Sequence, residues 1–194
     1  MTDTDGPTVL AVDDDQMVLE TYDIWLGADY DLLTADTGTA ALEILDGEAD
    51  VDVVLLDRLM PEMAGDEVLA EIREREVDVR VALVTAVEPD ADIAALDFDA
   101  YVQKALDRET VTRVVDELWD RVQFDETRRE YRAVGEKLAA LEEQYRSEEL
   151  TTNERYRTLS DRFEELGDRL SNRAAELDGD DIVSAVDPPD AVEE

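Results

Sequence analysis

The stretch VDVVLLD, residues 51–57, is the most apolar run of the chain, and it ends on an aspartate. Three further runs also end at a polar side chain: TVLAV (8–12) before Asp13 and Asp14, VRVALV (79–84) before Thr85, and AYVQK (100–104), which closes on Lys104. Short apolar runs rich in β-branched residues are typical of strands buried in a sheet. The sequence therefore predicts a sheet whose strands deliver polar groups at their carboxyl ends.

Helical patterns separate these strands, and a further strand, YDLLTA (30–35), precedes the 51–57 run. The predicted helices are Gln16–Leu26, a helix opening at Thr37 and Gly38, a helix that carries Val68, Leu69 and Ile72 on one face, and a final helix over 107–122. Strands that alternate with helices of this length predict a parallel sheet, and right-handed crossovers place helices on both of its faces. The predicted fold class is α/β, a doubly wound five-stranded parallel sheet.

The polar groups at the strand ends are expected to converge, because ligands of open parallel sheets bind outside the carboxyl ends of the strands. Mg²⁺ prefers hard oxygen ligands and usually takes one or two carboxylates from a protein, which makes Asp13 and Asp14 candidate metal ligands. Asp15, the third acid of that run, is predicted to cap the following helix instead. A carboxylate beside Mg²⁺ has its charge partly neutralised, so Asp57 can attack phosphorus as a nucleophile.

Thr85 and Lys104 complete the predicted phosphoryl site. The Thr85 hydroxyl can donate to a phosphoryl oxygen, and the small neighbour Ala86 leaves room for one. Lys104 is one of only two lysines, Lys137 being the other, and a compact ammonium suits pairing with a phosphoryl oxygen. Each residue also has an ordinary interpretation: a strand-end cap, a threonine placed by β-propensity, and a lysine on a sheet edge. The combination, rather than any one residue, predicts a site for Mg²⁺ and a phosphoryl group.

Composition narrows the chemistry. The chain has no cysteine and no histidine, which excludes thiol chemistry, histidine acid–base catalysis and Cys/His zinc sites. Its formal net charge of −36 argues against nucleic acid and anionic membranes as partners. The excess of acidic residues fits either binding of a basic partner or adaptation to a salt-rich cytoplasm, where the screening length falls to about 3 Å at 1 M salt. The acidic residues are spread evenly along the chain, which favours adaptation to salt. Without a signal peptide or a membrane-spanning run, a cytoplasmic location is expected.

Beyond residue 122 no strand pattern remains. Two stripes repeat every seven residues: Phe124, Tyr131, Leu138 and Tyr145 with Val134 and Leu141, and then Tyr156, Phe163, Leu170 and Leu177 with Leu159 and Leu166. They are typical of coiled-coil seams, but they do not share a phase. Thr151 with Glu154 is predicted to form a capping box that starts a new helix, which favours a helical hairpin over one continuous rod. Residues 179–194 are rich in aspartate with two prolines and predict a disordered acidic tail.

An ordered set of motifs resembles the receiver domain of two-component response regulators. The motifs are Val12-Asp13-Asp14, Asp57-Arg58-Leu59-Met60-Pro61 with Gly65, Thr85-Ala86 and Tyr101-Val102-Gln103-Lys104. This resemblance implies a flavodoxin-like receiver over residues 1–122 and a histidine kinase as partner. It implies that Asp57 is the phosphoacceptor, and that Asp13, Asp14, Asp57 and the backbone carbonyl of Leu59 hold Mg²⁺. It further implies that Thr85 and Lys104 bind the phosphoryl oxygens and that Tyr101 is the switch aromatic.

Two features depart from the family pattern. The family usually has proline after the lysine, and this chain has Ala105. The segment between Thr85 and Lys104 is also short and predicts only a short fourth helix. The striped region, residues 123–178, resembles the HalX domain that follows haloarchaeal receivers, and this resemblance rests on helical length, position and acidic background. The departures bear on how a signal leaves the receiver rather than on its phosphorylation chemistry.

Three non-enzymatic functions fit these features, and one enzymatic function is set against them. A signalling switch would pass phosphorylation at Asp57 to a downstream protein, or to a second copy of the chain through the helical module. A DNA-binding transcriptional regulator would need a basic recognition helix, whereas Glu126, Glu130 and Glu136 interrupt the Arg128, Arg129 and Arg132 cluster. A phosphorylation-independent adaptor, acting through helix pairing or dimerisation, is the remaining alternative. A phosphohydrolase would carry a second aspartate two residues after the nucleophile, where this chain has Leu59, so an enzyme is not expected.

Overall fold

The computed structural model describes residues 6–47, 49–86, 91–104 and 107–177. The strands are β1 (Thr8–Val12), β2 (Asp31–Ala35), β3 (Val53–Leu56), β4 (Arg80–Thr85) and β5 (Ala100–Gln103). The helices are α1 (Gln16–Leu26), α2 (Gly38–Leu45), α3 (Gly65–Glu74), α4 (Arg108–Gln144), α5 (Ser147–Thr152) and α6 (Glu154–Leu177), and a 3-10 helix (Ala91–Ala95) precedes β5. No helix in this described part is long and apolar enough to cross a lipid bilayer.

The five strands form one parallel sheet in the order β2-β1-β3-β4-β5. This order confirms the predicted α/β fold class. The chain leaves β1 to form β2 on one side and then returns to form β3 on the other. Between β1 and β3 the direction of winding reverses, and a crevice opens there outside the carboxyl ends of the strands. The candidate site lies at this crevice.

Apolar side chains cover both faces of the sheet. Because side chains alternate along a strand, Val9 and Leu55 face one layer and Leu10 and Leu56 face the other. The first layer contains α1 and the beginning of α4, and the second contains α2 and α3. All four of these strand residues are at most 1% exposed. The sheet is therefore buried on both faces, as the near-continuous apolar runs predict.

The described residues divide into two compact units between Asp120 and Arg121. The predicted end of a helix at residue 122 is wrong, because α4 continues to Gln144. No proline interrupts it, and its first glycine is Gly135, so no residue near 122 stops the helix. The predicted domain boundaries, 122/123 and 178/179, remain predictions. The acidic tail (179–194) and the Lys104–Ala105 bond lie outside the described residues.

Asn153 separates α5 from α6. Its backbone is extended, and its side-chain oxygen accepts hydrogen bonds from the backbone N–H groups of Arg155 (3.0 Å) and Tyr156 (3.3 Å). The predicted cap at Thr151 is therefore wrong, because Thr151 lies within α5. A helix starts where an extended residue turns its side chain onto the first free N–H groups, and that residue is Asn153.

Within the second unit, α4 and α6 pack antiparallel as the predicted hairpin. Arg162 forms two hydrogen bonds with Glu130 (2.8 and 2.9 Å), and Arg173 bonds Gln123 (2.7 Å). The positions on α4 fall as those on α6 rise, which defines the antiparallel direction. The buried residues of the seam are Val134, Leu138 and Leu166. Tyr145, predicted to lie on the stripe, is 48% exposed instead.

Two aromatic rings of the hairpin each pack against a glycine of the opposite helix. The rings of Tyr131 and Phe163 stack with centroids 4.2 Å apart. Phe163 lies over Gly135, where an added Cβ would be 3.0 Å from the ring, and Tyr131 lies over Gly167, where it would be 3.4 Å away. Each aromatic residue of one helix therefore packs against a glycine of the other. The two contacts differ in how much space they leave.

Exchange of these glycines for alanine is expected to have opposite effects on the hairpin. Alanine favours a helix by about 1 kcal/mol relative to glycine, and at Gly167 the new methyl group meets Tyr131 at an ordinary distance. We expect Gly167→Ala to raise the free energy of unfolding by up to about 1 kcal/mol. At Gly135 the methyl group displaces the stacked Phe163, so Gly135→Ala is expected to lower it by about 1 kcal/mol. Denaturant unfolding followed by far-UV circular dichroism measures both, and equal stabilities would contradict this.

Candidate phosphoryl and magnesium site

Three carboxylates meet at the carboxyl edge of the sheet. Asp13 follows β1 and Asp57 follows β3, and both are buried (2% and 6% exposed), whereas Asp14 is exposed. Each of the three offers one carboxylate oxygen, and these oxygens lie within 4.8 Å of one another. The two strands are parallel neighbours. Their carboxyl ends therefore lie side by side and bring together residues that are distant in the sequence. The cluster presents oxygen atoms only, which is the donor set that Mg²⁺ prefers.

Lys104 lies directly on this cluster. Its Nζ is 2.7 Å from Asp13 Oδ2 and 2.8 Å from Asp57 Oδ2. The lysine side chain is 25% exposed, so it is partly open to solvent. The sequence places Lys104 after β5, at an edge of the sheet, and the side chain spans the end of β4 to reach the two aspartates. One cation thus bridges two buried carboxylates from two other strands.

The electrostatics of this trio follow from burial and pairing. Burial raises the pKa of Asp13 above its usual value, although the hydrogen bond from Lys104 works in the opposite direction. For Lys104, burial disfavours the charged form, but the hydrogen bonds to Asp13 and Asp57 outweigh it and raise its pKa. The ammonium is therefore fully charged at neutral pH. A positive group is held where a phosphoryl oxygen beside Asp57 would need one.

Thr85 and Tyr101 flank the cluster on the last two strands. Thr85 ends β4 fully buried, and its carbonyl accepts a hydrogen bond from the backbone N–H of Lys104 at 2.7 Å. Tyr101 lies partly buried in β5, and its ring is 5.7 Å from that of Phe98 at a tilt of 54°. The structure therefore joins Thr85 to Lys104 through the backbone. It places Tyr101 in the apolar layer formed with α2 and α3.

The loop after β3 packs closely around Asp57. The backbone N–H of Leu59 lies 3.3 Å from Asp57 Oδ1, and the Leu59 side chain is 61% exposed. The N–H of Gly65 donates to the carbonyl of Arg58 at 2.9 Å, which holds the first turn of α3 against this loop. Asp15 accepts a hydrogen bond from the N–H of Met17 at 2.9 Å, so its predicted role as the cap of α1 is confirmed.

One ion pair at strands β4 and β5 cannot be found from sequence patterns. Asp99 and Arg73 form an ion pair at 2.7 Å, at the opposite end of β4 and β5 from Lys104. Neither residue belongs to a motif, and an acidic residue is unremarkable in a chain with 54 of them. The sequence feature that marks Asp99 is its position as an acidic residue directly before an apolar strand, and this feature is too common to select it.

Comparison with protein families matches residues 9–116 to the response regulator receiver domain and residues 120–186 to the HalX domain. The first match covers more than half of the chain and contains every candidate site residue. The second covers most of the helical region that follows. The first match agrees with the resemblance drawn from the motifs, and the second agrees with the resemblance drawn from helical length, position and acidic background.

Three similar proteins illustrate the relationship. A "Putative transcriptional regulator" of Haloferax volcanii is 45% identical over 88% of this chain and 30% of its own length. The response regulator SaeR of Staphylococcus aureus is 31% identical over 55% of this chain and 48% of its own length. The chain thus spans 30% and 48% of the length of these two relatives. The response regulator TrrA of Thermotoga maritima, solved in complex with Mg²⁺-BeF, is 32% identical over 58% of this chain and 98% of its own, with a TM-score of 0.51.

Proposed function

Because the chain belongs to the response regulator receiver family, we propose that Asp57 accepts a phosphoryl group from a histidine kinase and that this switches the receiver between two conformations. The observation that carries the proposal is the bridge from Lys104 to Asp13 and Asp57 at 2.7 and 2.8 Å. The proposed nucleophile, a second carboxylate and a fixed cation lie together between β1 and β3, where the winding of the sheet reverses. Receiver and HalX domains together fit a signalling regulator rather than a catalytic enzyme.

Asp13, Asp14 and Asp57 would hold Mg²⁺, with the backbone carbonyl of Leu59 as a fourth oxygen. The three carboxylate oxygens within 4.8 Å of one another support this assignment. A bound Mg²⁺ would supply charge neutralisation, which allows an anionic phosphoryl group to approach an anionic carboxylate. This requirement is stronger here than in an ordinary protein, because the chain carries a net charge of −36.

The chain's own residues carry the transfer. An oxygen of Asp57 forms a bond to phosphorus while the bond from phosphorus to the kinase's histidine nitrogen breaks, and the released imidazole takes up a proton from solvent. Lys104 would then pair with a phosphoryl oxygen in place of its bond to Asp57. The hydroxyl of Thr85 would donate to another, and Tyr101 would change its orientation with Thr85. These movements would form the switch.

We propose that the helical module (123–178) passes the signal through protein contacts, to a downstream protein or to a second copy of the chain. Ion pairing inside the module supports this: Arg162 is engaged by Glu130 and Glu165, and Arg128 by Asp125. Arginines held by acids offer little to a phosphate backbone. Transcriptional regulation by DNA contact stays the second candidate, since the Haloferax volcanii relative is described as a "Putative transcriptional regulator".

The proposal predicts that phosphoryl uptake depends on Mg²⁺. Incubation with Mg²⁺ and acetyl phosphate in multimolar KCl is expected to add one phosphoryl group, detected by intact-mass analysis. Chelation with EDTA is expected to abolish the adduct, because the buried carboxylates then repel the donor, and excess Mg²⁺ is expected to restore it. An aspartyl phosphate is cleaved by hydroxylamine, whereas phosphoserine, phosphothreonine and phosphotyrosine are not. Uptake that persists with EDTA or resists hydroxylamine would contradict the proposed site.

A further inference from the structure

One carboxylate joins three segments at the amino end of β4 and β5. Asp99 immediately precedes β5, and its side chain is 11% exposed. It accepts hydrogen bonds from Nη2 of Arg73 at the end of α3 (2.7 Å), from Nη1 of Arg80 at the start of β4 (2.7 Å) and from the backbone N–H of Val81 (2.8 Å). Two arginines and a peptide group thus hold one side chain. Charge-assisted bonds of this length are the strong ones.

The contact with Val81 makes Asp99 a part of the sheet. The backbone N–H of Asp99 donates to the carbonyl of Val81 at 2.8 Å, while its carboxylate accepts from the N–H of the same residue. Arg73 also donates to the carbonyls of Asp97 (2.9 Å) and Val79 (3.1 Å), on either side of this pairing. The start of β5 is therefore fixed to β4 and to α3 by one connected set of bonds.

This fixation matters because β5 is a weakly held strand. It has four residues and lies at the edge of the sheet, so in the described part of the chain its one strand neighbour is β4. At its far end, the backbone N–H of Lys104 donates to the carbonyl of Thr85. Asp99 and Lys104 are thus the two ends of one short segment, roughly 16 Å apart at 3.3 Å per residue. A shift at the start of this segment would move Lys104 relative to Asp57.

We propose that Asp99, held by Arg73 and Arg80, is a positioning residue that sets the register of β5 and so places Lys104 on Asp13 and Asp57. This inference rests on the proposed phosphoryl function of that site. It adds Asp99, which lies at the opposite end of β4 and β5 from Lys104. Phosphoryl transfer would depend on this residue although it does not contact the reacting atoms. Loss of Asp99 lets the edge strand slide or fray, and a displacement of the order of 1 Å at a reacting group costs up to about 10²-fold in rate.

The chain offers a matched control on the same helix. Arg75, directly after the last residue of α3, pairs with Asp46 (2.7 Å) and Glu71 (3.0 Å), and among the described residues it pairs with no strand. Asp46→Ala removes a carboxylate from an arginine at the end of α3, as Asp99→Ala does, and leaves β5 untouched. Asp99→Asn keeps an acceptor for the N–H of Val81, so it should retain more activity than Asp99→Ala.

A double-mutant cycle with Lys104→Ala tests whether Asp99 acts through Lys104. The rate of phosphoryl uptake from acetyl phosphate with Mg²⁺ is measured for the full chain in KCl. We expect Asp99→Ala to slow uptake roughly tenfold, Asp99→Asn to slow it less, and Asp46→Ala to leave it unchanged. In the Lys104→Ala background, Asp99→Ala is expected to cause no further loss. An equal loss in both backgrounds would mean that Asp99 only supports the fold, and would overturn the inference.

Hydrogen exchange supplies a readout that needs no phosphorylation. The Lys104 amide is protected by its bond to Thr85, and we expect Asp99→Ala to accelerate its exchange while Asp46→Ala does not. Protection that is unchanged in Asp99→Ala would overturn the inference even if uptake falls. If the unmodified chain takes up no phosphoryl group, the proposed function fails, and faster exchange in Asp99→Ala would still show that Asp99 holds Lys104 in place.

Discussion

Replacement of Asp57 by asparagine is expected to abolish phosphoryl uptake while the receiver stays folded. The amide of asparagine has no anionic oxygen with which to attack phosphorus. Its side chain has nearly the same shape, so the buried position stays filled. Lys104 keeps its 2.7 Å bond to Asp13, and no buried cation is left unpaired. We therefore expect the free energy of unfolding to change by no more than about 1 kcal/mol.

Asp15→Asn is the matched control for this experiment. It removes the same charge from the neighbouring acidic run, and asparagine caps a helix as well as aspartate does. Uptake by Asp15→Asn is expected to equal that of the unmodified chain. Intact-mass analysis after incubation with acetyl phosphate and Mg²⁺ reads both variants. An adduct that persists on Asp57→Asn, and that fragmentation maps to a different acid, would show that the acceptor lies elsewhere.

Much of the site can be predicted from the sequence, because strand ends are a local property. The runs before Asp13, Asp57 and Thr85 are apolar enough to be strands, and parallel strands of a doubly wound sheet end at one edge. The convergence of these residues with Lys104 therefore follows from run lengths and topology alone. Asp15 was equally predictable, since a cap lies next to its helix in the sequence.

The helical region shows where local patterns are insufficient. Thr151 and Asn153 are both good caps, and only the backbone conformation decides which of them begins a helix. The continuation of α4 to Gln144 was equally hidden, because the change of composition near residue 122 alters which partners a helix meets, but not its preference for being a helix. Composition marks a boundary between modules more readily than a boundary between elements.

The network at Asp99 is beyond sequence reasoning for a different reason. Asp99 and Arg73 are 26 residues apart, and the chain holds 54 acidic side chains that are each a candidate partner for an arginine. Neither periodicity nor a motif selects one pair among so many. Only the folded structure shows that Asp99 of this pair bonds the backbone of Val81 in β4.

Among glycine-to-alanine substitutions in the receiver, Gly65→Ala is expected to destabilise the fold most. A Cβ at this position would lie against the carbonyl oxygen of Asp57, closer than any real carbon–oxygen contact, and 2.8 Å from the Cα of Arg58. Both neighbours are backbone atoms at the end of β3, so no side chain can turn away to make room. Either α3 moves off the sheet, or the peptide that carries Asp57 moves. We expect the free energy of unfolding to fall by about 3 kcal/mol.

Two other glycines of the same unit calibrate this effect. At Gly38 the new methyl group would meet a methyl of Val68 at 2.5 Å. At Gly6 it would meet the carbonyl oxygen of Asp29 at 3.4 Å and a ring carbon of Tyr30 at 3.8 Å, which are ordinary contact distances. Thermal unfolding in KCl is therefore expected to rank Gly65→Ala below Gly38→Ala, and Gly38→Ala below Gly6→Ala. Below its melting temperature, Gly65→Ala is also expected to take up phosphoryl groups more slowly, because the displaced peptide misplaces Asp57. A Gly65→Ala protein as stable as Gly6→Ala would show that α3 can leave β3 without cost, and that the close approach in this structure is not required.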